Sequence, residues 1–156
     1  MEKKYILTDE TITVDYNHIL HRIKAIKTFR NVEEGELGGF IEKEDNLSHE
    51  GDCWICYDAQ VFGNAVVCDN TWVFGNAWVF GNAVVCDEVN VFGNAKICCG
   101  YTTIINGHIS ICGDAVINSN SDYIVFKNWW SSGRYFVWTR SNNMWKVGCF
   151  YRTGDE

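Results

Sequence analysis

Residues 61–78 read VFGNAVVCDNTWVFGNAW and residues 79–96 read VFGNAVVCDEVNVFGNAK, identical at fourteen of eighteen positions. Inside each copy a shorter unit recurs every six residues: an aliphatic residue, two variable ones, usually Asn, usually Ala, then another variable one. Three six-residue units to eighteen residues is the arithmetic of a triangular β-solenoid, in which each unit forms one face of a coil. With the aliphatic residue as anchor, the frame runs through Ile55, Val61, Val67, Val73, Val79, Val85, Val91 and Ile97 without a slip. Two positions before each anchor stands a mostly small residue: Cys53, Ala59, Ala65, Thr71, Ala77, Ala83, Val89 or Ala95. Residues two apart in an extended segment share a face, so both sets point into the prism. Gly-Asn pairs and Asp69-Asn70 fall at the corners, where a left-handed backbone is needed. Ile41 and Leu47 extend the frame upstream, and Thr103, Ile109, Ile117 and Val125 extend it downstream. The frame predicts four to five coils, about 20 Å tall at the usual strand spacing.

The residues flanking each anchor must point outward. Of sixteen such positions from Trp54 to Cys98, thirteen are apolar. A solitary solenoid does not leave that much contiguous apolar surface in water. One face carries Trp54, Trp72, Phe74 and Phe92, and a second carries Phe62, Trp78 and Phe80. These are the candidate interface residues of a homo-oligomer, a trimer in preference to a dimer, with the terminal segments covering another face.

The hexad Val61-Phe62-Gly63-Asn64-Ala65-Val66 resembles the motif of the hexapeptide-repeat family, strongly over 51–98 and more weakly over 37–118. That resemblance implies a left-handed parallel β-helix. The LGGFIEKEDNLS segment at 37–48, followed by GNA-type hexads, is similar to bacterial and bacteriophage proteins labelled hexapeptide transferases. Enzymes of the family imply a histidine base acting on an acyl-CoA, and His108 is the one histidine on a coil. The frame sets it outward in line with Trp54, Trp72 and Asn90.

Net charge is −7 but unevenly spread: −4 over residues 1–50, −5 over 51–120 and +2 over 121–156. The acidic body argues against general nucleic-acid or membrane-surface binding. No signal peptide and no membrane-length apolar run is present, which makes a cytoplasmic protein with reduced cysteines the expectation. The chain divides into an N-terminal β cap (1–36), the solenoid (37–120) and an aromatic C-terminal segment (121–156), expected to be a β-hairpin cap in an all-β fold.

That last segment holds ten of the twenty-three aromatic residues. Trp130, Ser131, Ser132, Arg134, Tyr135, Arg140, Trp145 and Lys146 combine stacking faces with charged donors, as a nucleotide-like anion requires. Cys53-x-x-Cys56 invites a zinc site, but the solenoid frame points its two thiols to opposite faces, and no metal is expected. The functional expectation is a non-catalytic, oligomeric binding protein without cofactor. A bacteriophage counter-defence role fits it, sequestering a small anionic ligand or blocking a host protein. A CoA-dependent acyltransferase using acetyl-CoA, and a structural scaffold, are the alternatives.

Overall fold

The computed structural model describes residues 2–127, 134–147 and 150–153. The fold is all-β, a solenoid of about four turns with parallel sheets. Strands β1 (Tyr5–Val14) and β2 (His18–Ala25) form an antiparallel hairpin. β2 then pairs with β3 (Leu37–Ile41), the first strand of the coils. The coils continue through β4 (Trp54–Ile55), β5 (Gln60–Val61), β6 (Val66–Val67), β7 (Trp72–Val73), β8 (Trp78–Val85) and β9 (Asn90–Val91). They end with β10 (Lys96–Ile105), β11 (Ser110–Ile111) and β12 (Val116–Ile117). One sheet runs β1-β2-β3-β5-β8-β10-β12, with β6 also on β8, and a second runs β11-β9-β7-β4.

The anchors Ile55, Val61, Val67, Val73, Val79, Val85, Val91 and Ile97 are completely buried, and so are the small residues two positions before them. The backbone hydrogen bonds pass from coil to coil, as in Gln60 N–H to Ala77 O at 2.9 Å and Trp72 N–H to Val89 O at 2.9 Å. The amide ladder is thereby satisfied within the coils, which such thin buried walls require. Side-chain ladders add to it: Phe62 stacks on Phe80 at 5.0 Å and Phe74 on Phe92 at 4.9 Å, with Asn76 bonded to Asn94 at 3.2 Å.

Downstream of Ile97 the frame differs from the sequence expectation. Cys99 pairs with Gly81, eighteen residues back, but Thr103 pairs with Ala83, twenty back. Two extra residues have entered β10. The buried anchors after this point are Ile105, Ile111 and Ile117, and Ile109 takes the position held by Val89 one coil earlier. Val125 belongs to no coil. It lies in β13 (Tyr123–Lys127), paired with Val137 of β14 (Tyr135–Thr139). With β15 (Met144–Val147) and β16 (Phe150–Thr153) these form a four-stranded antiparallel sheet, where the sequence suggested a hairpin. The alternation of β13 matches that of β14 as well as it matches a solenoid face, and pairing with β14 wins.

The N-terminal segment covers part of what the frame left exposed. Trp54 is fully buried, with Tyr5 and Phe29 edge-on to it at 6.3 and 5.4 Å. Phe62 is 3% exposed, packed with Leu20 and Phe40 and against His18 at 5.2 Å. Neither can meet a second chain, so both leave the set of interface candidates. Trp72, Phe74, Phe92, Trp78 and Phe80 remain half-buried. Lys4, also buried, donates to Gly51 O at 3.1 Å and to Cys53 Sγ at 3.2 Å, which keeps its ammonium solvated by protein dipoles.

Candidate functional site

The two inserted residues decide where His108 stands. It follows Gly107 on the corner between β10 and β11, twenty residues from Glu88 in the preceding coil. Its Nδ1 lies 2.6 Å from Glu88 Oε2. A carboxylate only accepts, so Nδ1 carries the hydrogen and, in the neutral ring, Nε2 keeps the free lone pair. The corner itself is held by a ladder of carboxylates. Gly107 N–H donates to Asp87 Oδ2 at 2.9 Å, and Asp87 N–H donates to Asp69 Oδ2 at 3.1 Å. The row of Trp54, Trp72 and Asn90 is completed by Ser110, where the uninterrupted frame had set His108.

The C-terminal sheet then lays one of its faces beside this corner. Tyr135, Val137 and Thr139 alternate with Phe136 and Trp138 along β14, and the first set turns toward the coils. Lys146 pairs with Val137 from β15 and is buried, its Nζ 5.7 Å from the centre of the Phe92 ring. The Tyr135 ring stacks on His108 at 5.9 Å and 22°. His108, Ile109, Ser110, Arg134, Tyr135, Val137 and Lys146 together line a cavity of about 260 Å³. One wall therefore offers an oriented imidazole and a hydroxyl, and the other a phenol and two cations. With His108 60% and Glu88 49% exposed, the imidazole–carboxylate pair stands at the mouth, open to a solute.

Three of the residues chosen from sequence as an anion site, Arg134, Tyr135 and Lys146, thus meet the histidine chosen separately as a base. Arg140 does not join them: it is engaged by Asp122, at 3.7 Å through the side chains and 2.8 Å through its backbone N–H. Trp145 lies on the opposite face of the sheet, stacked on Phe126 at 6.2 Å. Trp130, Ser131 and Ser132 lie outside the described residues. Glu88 and Ser110 were missed. The signal for Glu88 was present, an acidic residue one coil before a histidine, but the insertion in β10 hid the spacing.

His18 and His49 serve the N-terminal hairpin instead. His18 Nδ1 bonds Glu42 Oε1 at 2.8 Å, and Glu42 Oε2 accepts Gly63 N–H at 2.7 Å. His49 stacks on Tyr5 at 4.3 Å, and burial holds its pKa below the ordinary histidine value.

No family model matches the chain. Among curated proteins it is similar to one from Escherichia coli (strain K12) described as "Uncharacterized acetyltransferase YdcK", 41% identical over 78 residues. The match takes in 44% of this chain and 24% of that protein, so the chain spans about a quarter of the relative's length. The six-residue repeat and the β-solenoid of about four turns are consistent with the hexapeptide-repeat family. Among the described residues no helix is long and apolar enough to cross a membrane.

Proposed function

We propose that the chain transfers an acyl group from a CoA thioester to a hydroxyl or amine acceptor at the His108 cavity. The observation that carries this reading is the meeting of His108–Glu88 with Arg134, Tyr135 and Lys146 around one opening. The similarity to a protein described as an acetyltransferase supports it, and favours it over the non-catalytic binding expected from sequence.

In this reading His108 Nε2 removes the acceptor's proton as the acceptor heteroatom attacks the thioester carbonyl. The C–S bond breaks, and the CoA sulfur leaves as the thiol after taking up that proton. Glu88 holds the ring and stabilises the imidazolium that forms in between, as a positioning carboxylate does. Arg134 and Lys146 supply charge-assisted donors for the donor's phosphates. A cavity of about 260 Å³ takes a phosphate group or a thioester end and leaves the rest of the donor on the surface.

The test is a thiol-release assay with acetyl-CoA against a panel of amines, amino sugars and hydroxyl acceptors, run beside thermal denaturation. Acetyl-CoA at about 100 times its dissociation constant should stabilise the fold by about 2.7 kcal/mol. His108→Ala should retain that stabilisation and lose thiol release by about 100-fold or more. Lys146→Ala should lose the stabilisation. An unchanged melting temperature with acetyl-CoA and CoA would sink the reading. Stabilisation by nucleotides without thiol release for any acceptor would return the cavity to anion binding alone.

A further inference from the structure

The third face of the solenoid carries a feature with no part in that cavity. Val66 and Val67 of β6 pair with Val84 and Val85 of β8, so the residues that follow, Cys68 and Cys86, stack one coil apart. Both thiols are half-buried and point out of the prism, unlike Cys53, which lies in the core. Asp69 follows Cys68 with a left-handed backbone, φ +56°. The two sulfurs and a carboxylate oxygen of Asp69 all lie within 4.8 Å of one another.

We propose that Cys68, Cys86 and Asp69 form a zinc site on this face, independent of the acyl-transfer reading. Zinc bonds of about 2.3 Å to sulfur and about 2.0–2.2 Å to oxygen set tetrahedral donors about 3.5–3.8 Å apart. With all three donors within 4.8 Å of one another, at most about an ångström of closure is needed. Two thiolates with one carboxylate suit a borderline-soft divalent ion; magnesium or calcium would want oxygens throughout. Asp69 and Asp87 enter no ion pair among the described residues, and the nearby Arg30 guanidinium bonds the backbone oxygen of Asn70 at 3.5 Å instead. Asp69 Oδ2 accepts Asp87 N–H at 3.1 Å, which fixes the carboxylate beside the thiols and leaves its other oxygen uncommitted among the described hydrogen bonds. Three protein donors leave a fourth position for water or a solute. Cys68 and Cys86 are eighteen residues apart, one coil, so no short CxxC motif marks this set in the sequence.

Thiols bind zinc as thiolates, so an incoming ion must displace their protons and binding must strengthen as pH rises. The experiment is a titration of the reduced, metal-free full chain with Co²⁺ as the spectroscopic probe, followed by displacement with Zn²⁺. The expected result is one equivalent bound, with sulfur-to-cobalt charge-transfer absorption that Zn²⁺ abolishes. Cys68→Ser and Cys86→Ser should each weaken binding by more than about tenfold. Asp69→Asn, which keeps an acceptor for Asp87 N–H, should weaken it without loss of fold, and it decides the matter if either serine variant is misfolded. No charge-transfer band in the wild-type chain, or a band that survives Cys68→Ser and Cys86→Ser together, overturns the proposal. So does a Cys68–Cys86 disulfide that persists under thiol reductant, since it removes both sulfur donors.

Discussion

Gly93 shows what a corner of this solenoid demands of one residue. Its φ is +73°, and a Cβ there would meet the backbone N of Gly113 in the next coil at 3.0 Å. Two costs would fall on Gly93→Ala, the left-handed conformation and the displaced neighbouring coil. Gly35 separates them, because its φ is +91° but nothing lies within 4 Å of its Cβ position. The conformational cost alone is about 1–2 kcal/mol. Gly35→Ala should therefore lower stability by about that amount, and Gly93→Ala by more, about 2–4 kcal/mol, in denaturant unfolding. Equal losses for the two would mean that the coils relax freely around the corner. Gly-Asn pairs were legible as corners in the sequence because glycine is the cheapest answer to a left-handed angle. Asp69 and Asp87 at φ +56° and +63° were half legible: their backbone role could be read, but not the carboxylate ladder that ends at Gly107.

Among the elements, the β1–β2 hairpin is joined to the coils through Glu42, which holds His18 with one oxygen and Gly63 N–H with the other. Burial alone would raise the Glu42 pKa, but these hydrogen bonds and the His18 and Lys43 charges outweigh it and leave it below 4.5. A carboxylate depressed in the folded state stabilises the fold above its unfolded value and ceases to do so as pH falls through the folded one. Glu42→Gln should accordingly be less stable than wild type at neutral pH, with the difference shrinking below pH 4.5, as read from urea midpoints across that range. A constant difference at all pH values would mean that the effect is packing. The hairpin itself was visible in the alternation of residues 4–26, yet its burial of Trp54 and Phe62 was not. Periodicity reports which side of a strand faces out and says nothing of what is later laid over it. The same limit explains the register. An uninterrupted count of six put Ile109 on the anchor row, where two residues looped into β10 make it Ile111. The pairing from Thr103 with Ala83 onward reveals the change, and with it the approach of His108 to Glu88.

For the whole molecule, we propose that one of its apolar surfaces meets a second chain. Two candidates remain once the hairpin has taken its share, since Trp78 and Phe80 pack against the Leu20, Phe40 and Phe62 cluster beneath it. One is the row of Trp72, Phe74 and Phe92 on the β11-β9-β7-β4 sheet, of which Arg30 and Lys146 cover only the ends at 5.3 Å from Trp72 and 5.7 Å from Phe92. The other is the outer face of the C-terminal sheet, where Phe126 is 54% and Ile124 45% exposed beside Trp138 and Trp145. A stable interface takes about 800 Å² from each partner, roughly a tenth of the 8419 Å² this chain exposes, and either surface offers aromatic anchors of the kind that dominate such contacts. The solenoid row is the better candidate. Phe74 and Phe92 there already stack at 4.9 Å and 5°, which limits the side-chain entropy lost on docking, whereas Phe126 and Trp145 stack more loosely at 6.2 Å and 26° on a sheet with Phe126 on its edge strand. We therefore expect light scattering at micromolar concentration to give a multiple of 17.9 kDa. Phe74→Glu should reduce it to a single chain, and Phe126→Glu should leave it unchanged. The reverse pattern would move the interface to the C-terminal sheet, and a single-chain mass for the unsubstituted protein would leave both surfaces to a partner of a different kind.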